Sequence, residues 1–162
     1  MPITITEGYS PGCIGRITQL HAGYYAGKSG FGLEFEARVA RELAEFCQHY
    51  VSGRDGIWLA RGTEIEASVV IDGSQAQTTG AHLRWFITSD ALRGQGIGRQ
   101  LLETALAFVD RCGYRSTYLW TFAGLDAARH LYEAHGFRLV HESEGRQWGA
   151  VVREQRFQRG AG

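Results

Sequence analysis

The segment LRWFITSDALRGQGIGRQLLETAL, residues 83–106, restricts this chain more than any other. A β-rich run ends near Thr88, a short loop carries Arg93, Gly94, Gln95, Gly96, Ile97 and Gly98, and a helical pattern starts at once. The first N–H groups of a helix have no partners inside it, and the helix dipole favours an anion there. Glycines let the backbone approach an oxygen-rich ligand closely. Strand, glycine loop and helix mouth together make a phosphate-binding arrangement. The Walker spacing GxxxxGK[ST] is absent, which disfavours a nucleotide triphosphatase. A dinucleotide fingerprint starting at Gly94 needs glycine at position 99, where Arg99 stands. The pattern left is RxxGxG: Arg93, Gly96 and Gly98.

Around this segment the chain alternates between two periodicities. Ile3–Glu7 reads as a strand, and Gly12–Ala26 as a helix with Ser10 as N-cap and Pro11 at its first position. Phe35, Val39, Leu43, Phe46 and Tyr50 repeat at helical spacing over Leu33–Val51. Gly56–Ala60, Glu64–Ile71 and Ala81–Thr88 read as three successive strands. Gly96–Cys112 is a helix, Ser116–Trp120 a strand and Leu125–His135 a helix. Phe137–His141 and Ala150–Phe157 are two final strands. The order is β-α-α-β-β-β-α-β-α-β-β, an α/β (α+β) sandwich: a mixed sheet with helices packed on it. No low-complexity linker or internal repeat divides the 162 residues, so one domain over 1–162 is expected.

Composition closes off several classes of function. Lys+Arg and Asp+Glu both total 17, so nothing marks a nucleic-acid surface. No apolar run reaches the roughly 20 residues that span a bilayer. The 22 glycines are scattered between periodic segments and read as turns. Cys13, Cys47 and Cys112 lack paired spacing, which disfavours a disulfide framework or a zinc knuckle, and no metal is expected. MPITITEGYS has neither a basic nor an apolar leader region, so a reducing cytoplasm is the expected location.

A second segment, STYLWTFAGLDAARHLYEAHGFR (116–138), places a strand before a helix ending in Leu131, Tyr132, His135, Gly136 and Phe137. With the glycine loop, it resembles the GNAT superfamily of acetyl-CoA-dependent N-acetyltransferases. The likeness is strong from about Ala81 to His141. It is closer still to the acetyltransferase modules fused behind MarR-type regulators, in the runs LRWFITSDALRGQGIG and YLWTFAGLDAARHLYEAHGFRLV. The resemblance implies a mostly antiparallel central sheet of about seven strands with about four helices on both faces.

The resemblance also implies roles. Acetyl-CoA is the co-substrate and a primary amine the acceptor, joined directly in a ternary complex. Phe86, Ile87 and Thr88 offer backbone groups to the pantetheine arm. The amides of Arg93, Gly94, Gln95, Gly96, Ile97 and Gly98 hold the pyrophosphate, with Arg93 and Arg99 adding charge. Tyr132 is the expected general acid beside the sulfur. The strand Ala81–Thr88 lacks the carboxylate often found there, which leaves His82, Glu34, Glu36 or water as base. Alternation puts His82, Arg84 and Phe86 on one face, opposite Leu83, Trp85 and Ile87. Tyr24, Tyr25, Phe31 and Glu34 are expected at the acceptor end. Trp85, Trp120 and Trp148 are read as packing. Leu125 stands where the family commonly has asparagine. A non-catalytic acyl-CoA-binding sensor with the same fold is the alternative. The acceptor stays open among amino acids, polyamines, antibiotic amines and peptide N-termini. The last two strands offer an edge for a homodimer.

Overall fold

A computed structural model describes residues 2–160; Met1, Ala161 and Gly162, at the ends of the expected domain, lie outside them. Seven strands form one sheet: β1 (Thr4–Glu7), β2 (Gly56–Arg61), β3 (Ile65–Asp72), β4 (Ala81–Thr88), β5 (Ser116–Phe122), β6 (Arg138–Gly145) and β7 (Val152–Gly160). Their spatial order is β1-β2-β3-β4-β5-β7-β6. All neighbours are antiparallel except β4 and β5. Helices α1 (Cys13–Ser29) and α2 (Leu33–Gln48) cover one face; α3 (Ile97–Cys112) and α4 (Asp126–Ala134) cover the other. The order and sheet type match the reading of the sequence.

The helical stripes find the partners that the periodicity demands. Leu101, Leu102, Ala105 and Val109 of α3 pack on Ala67, Val69 and Ile71 of β3 and on Leu83 of β4. On the other face, Leu43 and Phe46 of α2 meet Ile17 of α1 and Ile57, Leu59 and Val70 of the sheet. Phe31, Phe35, Val39 and Phe122 form a smaller aromatic core beside them. No helix among the described residues is long and apolar enough to cross a membrane.

Three local expectations change. Ser10 does not cap α1: its hydroxyl accepts from Arg61, the cap position is Gly12, and the helix starts two residues past Pro11. At its other end α1 runs through Gly27 and Lys28 and stops at Gly30, in left-handed conformation with φ of 69°. A short 3-10 turn, Asp90–Leu92, fills part of the loop after β4.

A fourth change is in β4 itself. The register with β3 shifts between Ser68 and Val70, leaving an extra residue on β4, a β-bulge. Trp85 takes up the distortion with φ of 44°, the one non-glycine with positive φ among the described residues. The Ser68 hydroxyl donates to the Trp85 carbonyl at 2.7 Å and holds the bulge. Strict alternation therefore fails here. Phe86 joins Leu83 on the α3 face, while Arg84 and Trp85 both turn to α2.

Candidate active site

The bulge matters because of what β4 does next. Its parallel pairing with β5 comprises only Ala81 with Thr117 and His82 with Tyr118. Beyond these pairs the strands part, and the gap is bordered by residues 83–88 on one side and 119–122 on the other. Two cavities occupy it. One, of about 240 Å³, lies toward the α3 mouth and is lined by Phe86, Ile87, Thr88, Gly98, Leu125 and Ala128, among others. The second, of about 290 Å³, lies toward α2 and is lined by Arg38, Glu42, His82, Arg84, Trp85 and Trp148, among others. They share Tyr25, Phe86, Thr121 and Tyr132 on their walls.

The first cavity ends at the helix mouth. Gly96, the residue before α3, has φ of 77°, a left-handed conformation that costs a side-chain-bearing residue about 1–2 kcal/mol. No side chain caps α3, and its first internal hydrogen bond runs from Gln100 N–H to the Gly96 carbonyl. The N–H groups of Ile97, Gly98 and Arg99 therefore stay unspent. One part of the cradle is narrower than expected: Arg93 N–H donates to Asp90 and Gln95 N–H to Leu92, so these two amides serve the turn. Residues 93–96 are exposed, not sealed under other groups. The Arg93 guanidinium is 2.6 Å from Asp90 and lies over the Tyr24 ring at 4.5 Å. Arg99 is exposed, and Arg129 pairs with Glu133 on the surface at 3.4 Å.

Tyr132 sits where the cavities join. Its ring is clasped by Phe86, Phe137 and Phe157, with centroids 5.8–6.1 Å away. Burial, with the neighbouring Tyr25 second, raises its pKa above the ordinary phenol value and keeps the hydroxyl protonated. Burial likewise raises Tyr25.

His82 lines the second cavity, stacked on Tyr118 at 4.4 Å. Its pKa does not stay near neutrality. Burial, then the charges of Arg84 and Arg156, lower it to about 3, so the imidazole is neutral and weakly basic. His21, also on the wall, falls to about 4 by burial.

The residues expected at the acceptor end separate. Tyr25 lines both cavities. Tyr24, one residue and about 100° earlier on the helix, faces Arg93 and the first cavity instead. Phe31 is buried behind the wall against Phe35, Phe122 and Trp148. Glu34 and Glu36 are exposed on α2 and line neither cavity. The carboxylate that lines the second cavity is Glu42, which accepts from Arg38 Nε at 2.9 Å and from Arg84, and Asp126 lines the first. Trp85, Trp120 and Trp148, read as packing, line the second cavity. Arg38 and Glu42 each stand one residue before an apolar position of the α2 stripe, which marks them as border residues without saying which border meets a cleft. No group of three or more His, Cys, Asp or Glu side chains among the described residues is placed to hold a metal ion.

Residues 35–137 match the model of the acetyltransferase (GNAT) family. The chain belongs to this family. Membership makes it an acetyltransferase with acetyl-CoA as acyl donor. Among solved structures, it is similar to an acetyltransferase of the GNAT family from Staphylococcus aureus Mu50 (16% identity, TM-score 0.77), covering 98% of this chain and 99% of that one. It is also similar to the yncA protein of Salmonella typhimurium with its cofactor acetyl-CoA (14% identity, TM-score 0.75, 98% and 93% covered). A third is a spermidine N-acetyltransferase mutant from Vibrio cholerae (19% identity, TM-score 0.69, 97% and 94% covered). At these identities the likeness is one of fold. No curated protein matches the sequence.

Proposed function

We propose that the chain is an N-acetyltransferase domain over residues 1–162 that moves the acetyl group of acetyl-CoA to a primary amine by direct attack. The observation that carries this reading is the meeting of the two cavities at Tyr132, one of them running to an uncapped helix mouth. The free amides of Ile97, Gly98 and Arg99, with Gly94 and Gly96, suit a pyrophosphate. Arg93 and Arg99 add charge at the mouth. Phe86, Ile87 and Thr88 supply a strand edge, left unpaired by β5, for the pantetheine amides.

The amine enters from the α2 side. Its nitrogen attacks the thioester carbonyl carbon; the C–N bond forms and the C–S bond breaks, with its electron pair going to sulfur. Tyr132 donates its hydroxyl proton toward that sulfur as charge develops. His82 keeps a place only as a neutral hydrogen-bond acceptor on the wall. Its lowered basicity, and the commitment of Glu42 to two guanidiniums, hand removal of the ammonium proton to water in the cleft.

Kinship with the modules fused to MarR-type regulators rests on sequence runs alone. A cytoplasmic location suits the three free thiols. β6, at the sheet edge with Val140 42% exposed, is the edge where a second copy would pair.

Calorimetric titration with acetyl-CoA, followed by thiol release in the presence of an amine panel, tests the proposal. Saturable heat and a raised melting temperature at millimolar ligand are expected. No binding would overturn it. Binding without turnover on any amine would mark the acyl-CoA sensor instead.

A further inference from the structure

The second cavity carries a charge arrangement that the transfer chemistry does not need. Arg38, Glu42 and Arg84 line it, with side chains 32%, 28% and 21% exposed. Within this wall one carboxylate serves two guanidiniums, and Arg84 makes a second, longer ion pair with Asp72. Asp72, 3.8 Å from Arg84 Nη1, lines a different depression behind this wall. Arg156, stacked on Tyr118 at 4.4 Å, adds a further positive charge behind His82. The wall histidines are neutral.

Both guanidiniums keep donors in hand. Arg38 uses Nε on Glu42 and Nη1 on the Gln147 carbonyl; its Nη2 bonds nothing among the described residues. Arg84 uses Nη2 on Glu42, and its Nε bonds nothing among them. The Arg84 plane is held by the Trp85 ring at 4.1 Å, which the bulge brings to the same face. Two preoriented guanidiniums with spare N–H groups suit a carboxylate. Most other wall groups are aromatic: Phe35, Trp120, Phe122 and Trp148 surround the space. A volume of about 290 Å³ sits at the lower bound for small-molecule sites.

We infer that the acceptor is a free amino acid with an apolar or aromatic side chain: its carboxylate rests on Arg38 and Arg84, and its body lies among the rings. A polyamine brings further positive charges to a wall whose sole carboxylate is already shared. This inference rests on the N-acetyltransferase reading above.

The test is steady-state thiol release on the full chain with acetyl-CoA and the twenty standard L-amino acids, each matched to its carboxamide, plus putrescine and spermidine. At least one apolar or aromatic amino acid should show kcat/KM at least ~10-fold above its carboxamide and above both polyamines. Arg38→Gln should raise KM for that acid at least ~10-fold more than for the carboxamide, with the kcat values changing little. Arg84→Lys gives the same comparison if Arg38→Gln does not fold. Carboxamides or polyamines used as well as acids, or no amino acid used, would overturn the inference. Failure of acetyl-CoA to bind would instead sink the acetyltransferase reading, so the two failures are separable.

Discussion

The two halves of the cleft are built from different materials. The half we propose for the coenzyme offers mainly backbone as its polar groups: strand atoms that β5 leaves unpaired, unspent amides at the start of α3, and Gly96 in a conformation that keeps them open. Its charged side chains stand outside, on exposed ground. The half we propose for the acceptor consists of side chains drawn from α1, α2, β4, β5 and the β6–β7 loop. A site of backbone tolerates changes in its neighbours and recognises one constant ligand. A site of side chains changes its preference whenever one of them is replaced. The contrast predicts that variants on the two sides affect different constants, and that only the junction affects the chemical step.

The largest effect is expected at that junction. Tyr132→Phe should lower kcat by ~100-fold or more, in the range for loss of a positioned proton donor, and leave acetyl-CoA affinity within about two-fold. Rapid-quench turnover and calorimetry on the same sample check both parts. Unchanged turnover would take the acid role from Tyr132.

Acid should next distinguish the halves, because the wall of the second cavity carries His21, buried, and His82, half-buried, and the loop at 93–98 carries no histidine. Unfolded, each histidine protonates near pH 6.5; folded, not until about 4 and about 3. Stability is therefore full above about pH 6.5 and is lost as pH falls below it, since the unfolded chain binds protons that the folded chain refuses. The slope should be on the order of 1–2 kcal/mol per pH unit between pH 6.5 and 4.5. Denaturant melts at several pH values measure it, and His82→Gln should remove about half of it. A flat profile would show these histidines to be solvated.

The same division decides how much was legible in the sequence. Element order, sheet type and the glycine turn between β4 and α3 could be read because each depends on local chemistry: periodicity, glycine placement and a strand running into a helix. The bounds of β4 agree with the reading, yet its faces do not. A bulge shifts the alternation at Trp85 without leaving any mark in composition, since tryptophan is a poor candidate for positive φ. The wall of the second cavity was hidden for the same reason. Whether Arg38 or Glu34 faces the cleft depends on how α2 rolls against the sheet, which is set by packing around Phe35, Val39 and Leu43. The apparent cap at Ser10 failed because Arg61, fifty-one residues away, claims its hydroxyl.

A smaller effect follows from the backbone character of the coenzyme half. A Cβ added at Gly96 meets nothing within 4 Å, so the strain of Gly96→Val is mainly that of φ. A β-branched residue in that conformation costs about 1–2 kcal/mol, which should weaken acetyl-CoA binding ~10-fold as the loop relaxes. Calorimetry reads this directly, while the acid-to-carboxamide preference should not move. A shifted preference would mean that the halves are mechanically joined.

The smallest effect should come from Arg93→Ala. Arg93 is 44% exposed at its side chain, already paired with Asp90, and stacked on Tyr24. An exposed charge near a phosphate contributes little and is screened by salt. Acetyl-CoA affinity should fall only about two- to five-fold at low ionic strength, and the gap should close near 0.5 M salt. A loss of ~100-fold that survives high salt would mean that a desolvated guanidinium, not the amides, holds the pyrophosphate. The coenzyme half would then be a side-chain site like its neighbour, and the contrast between the two would disappear.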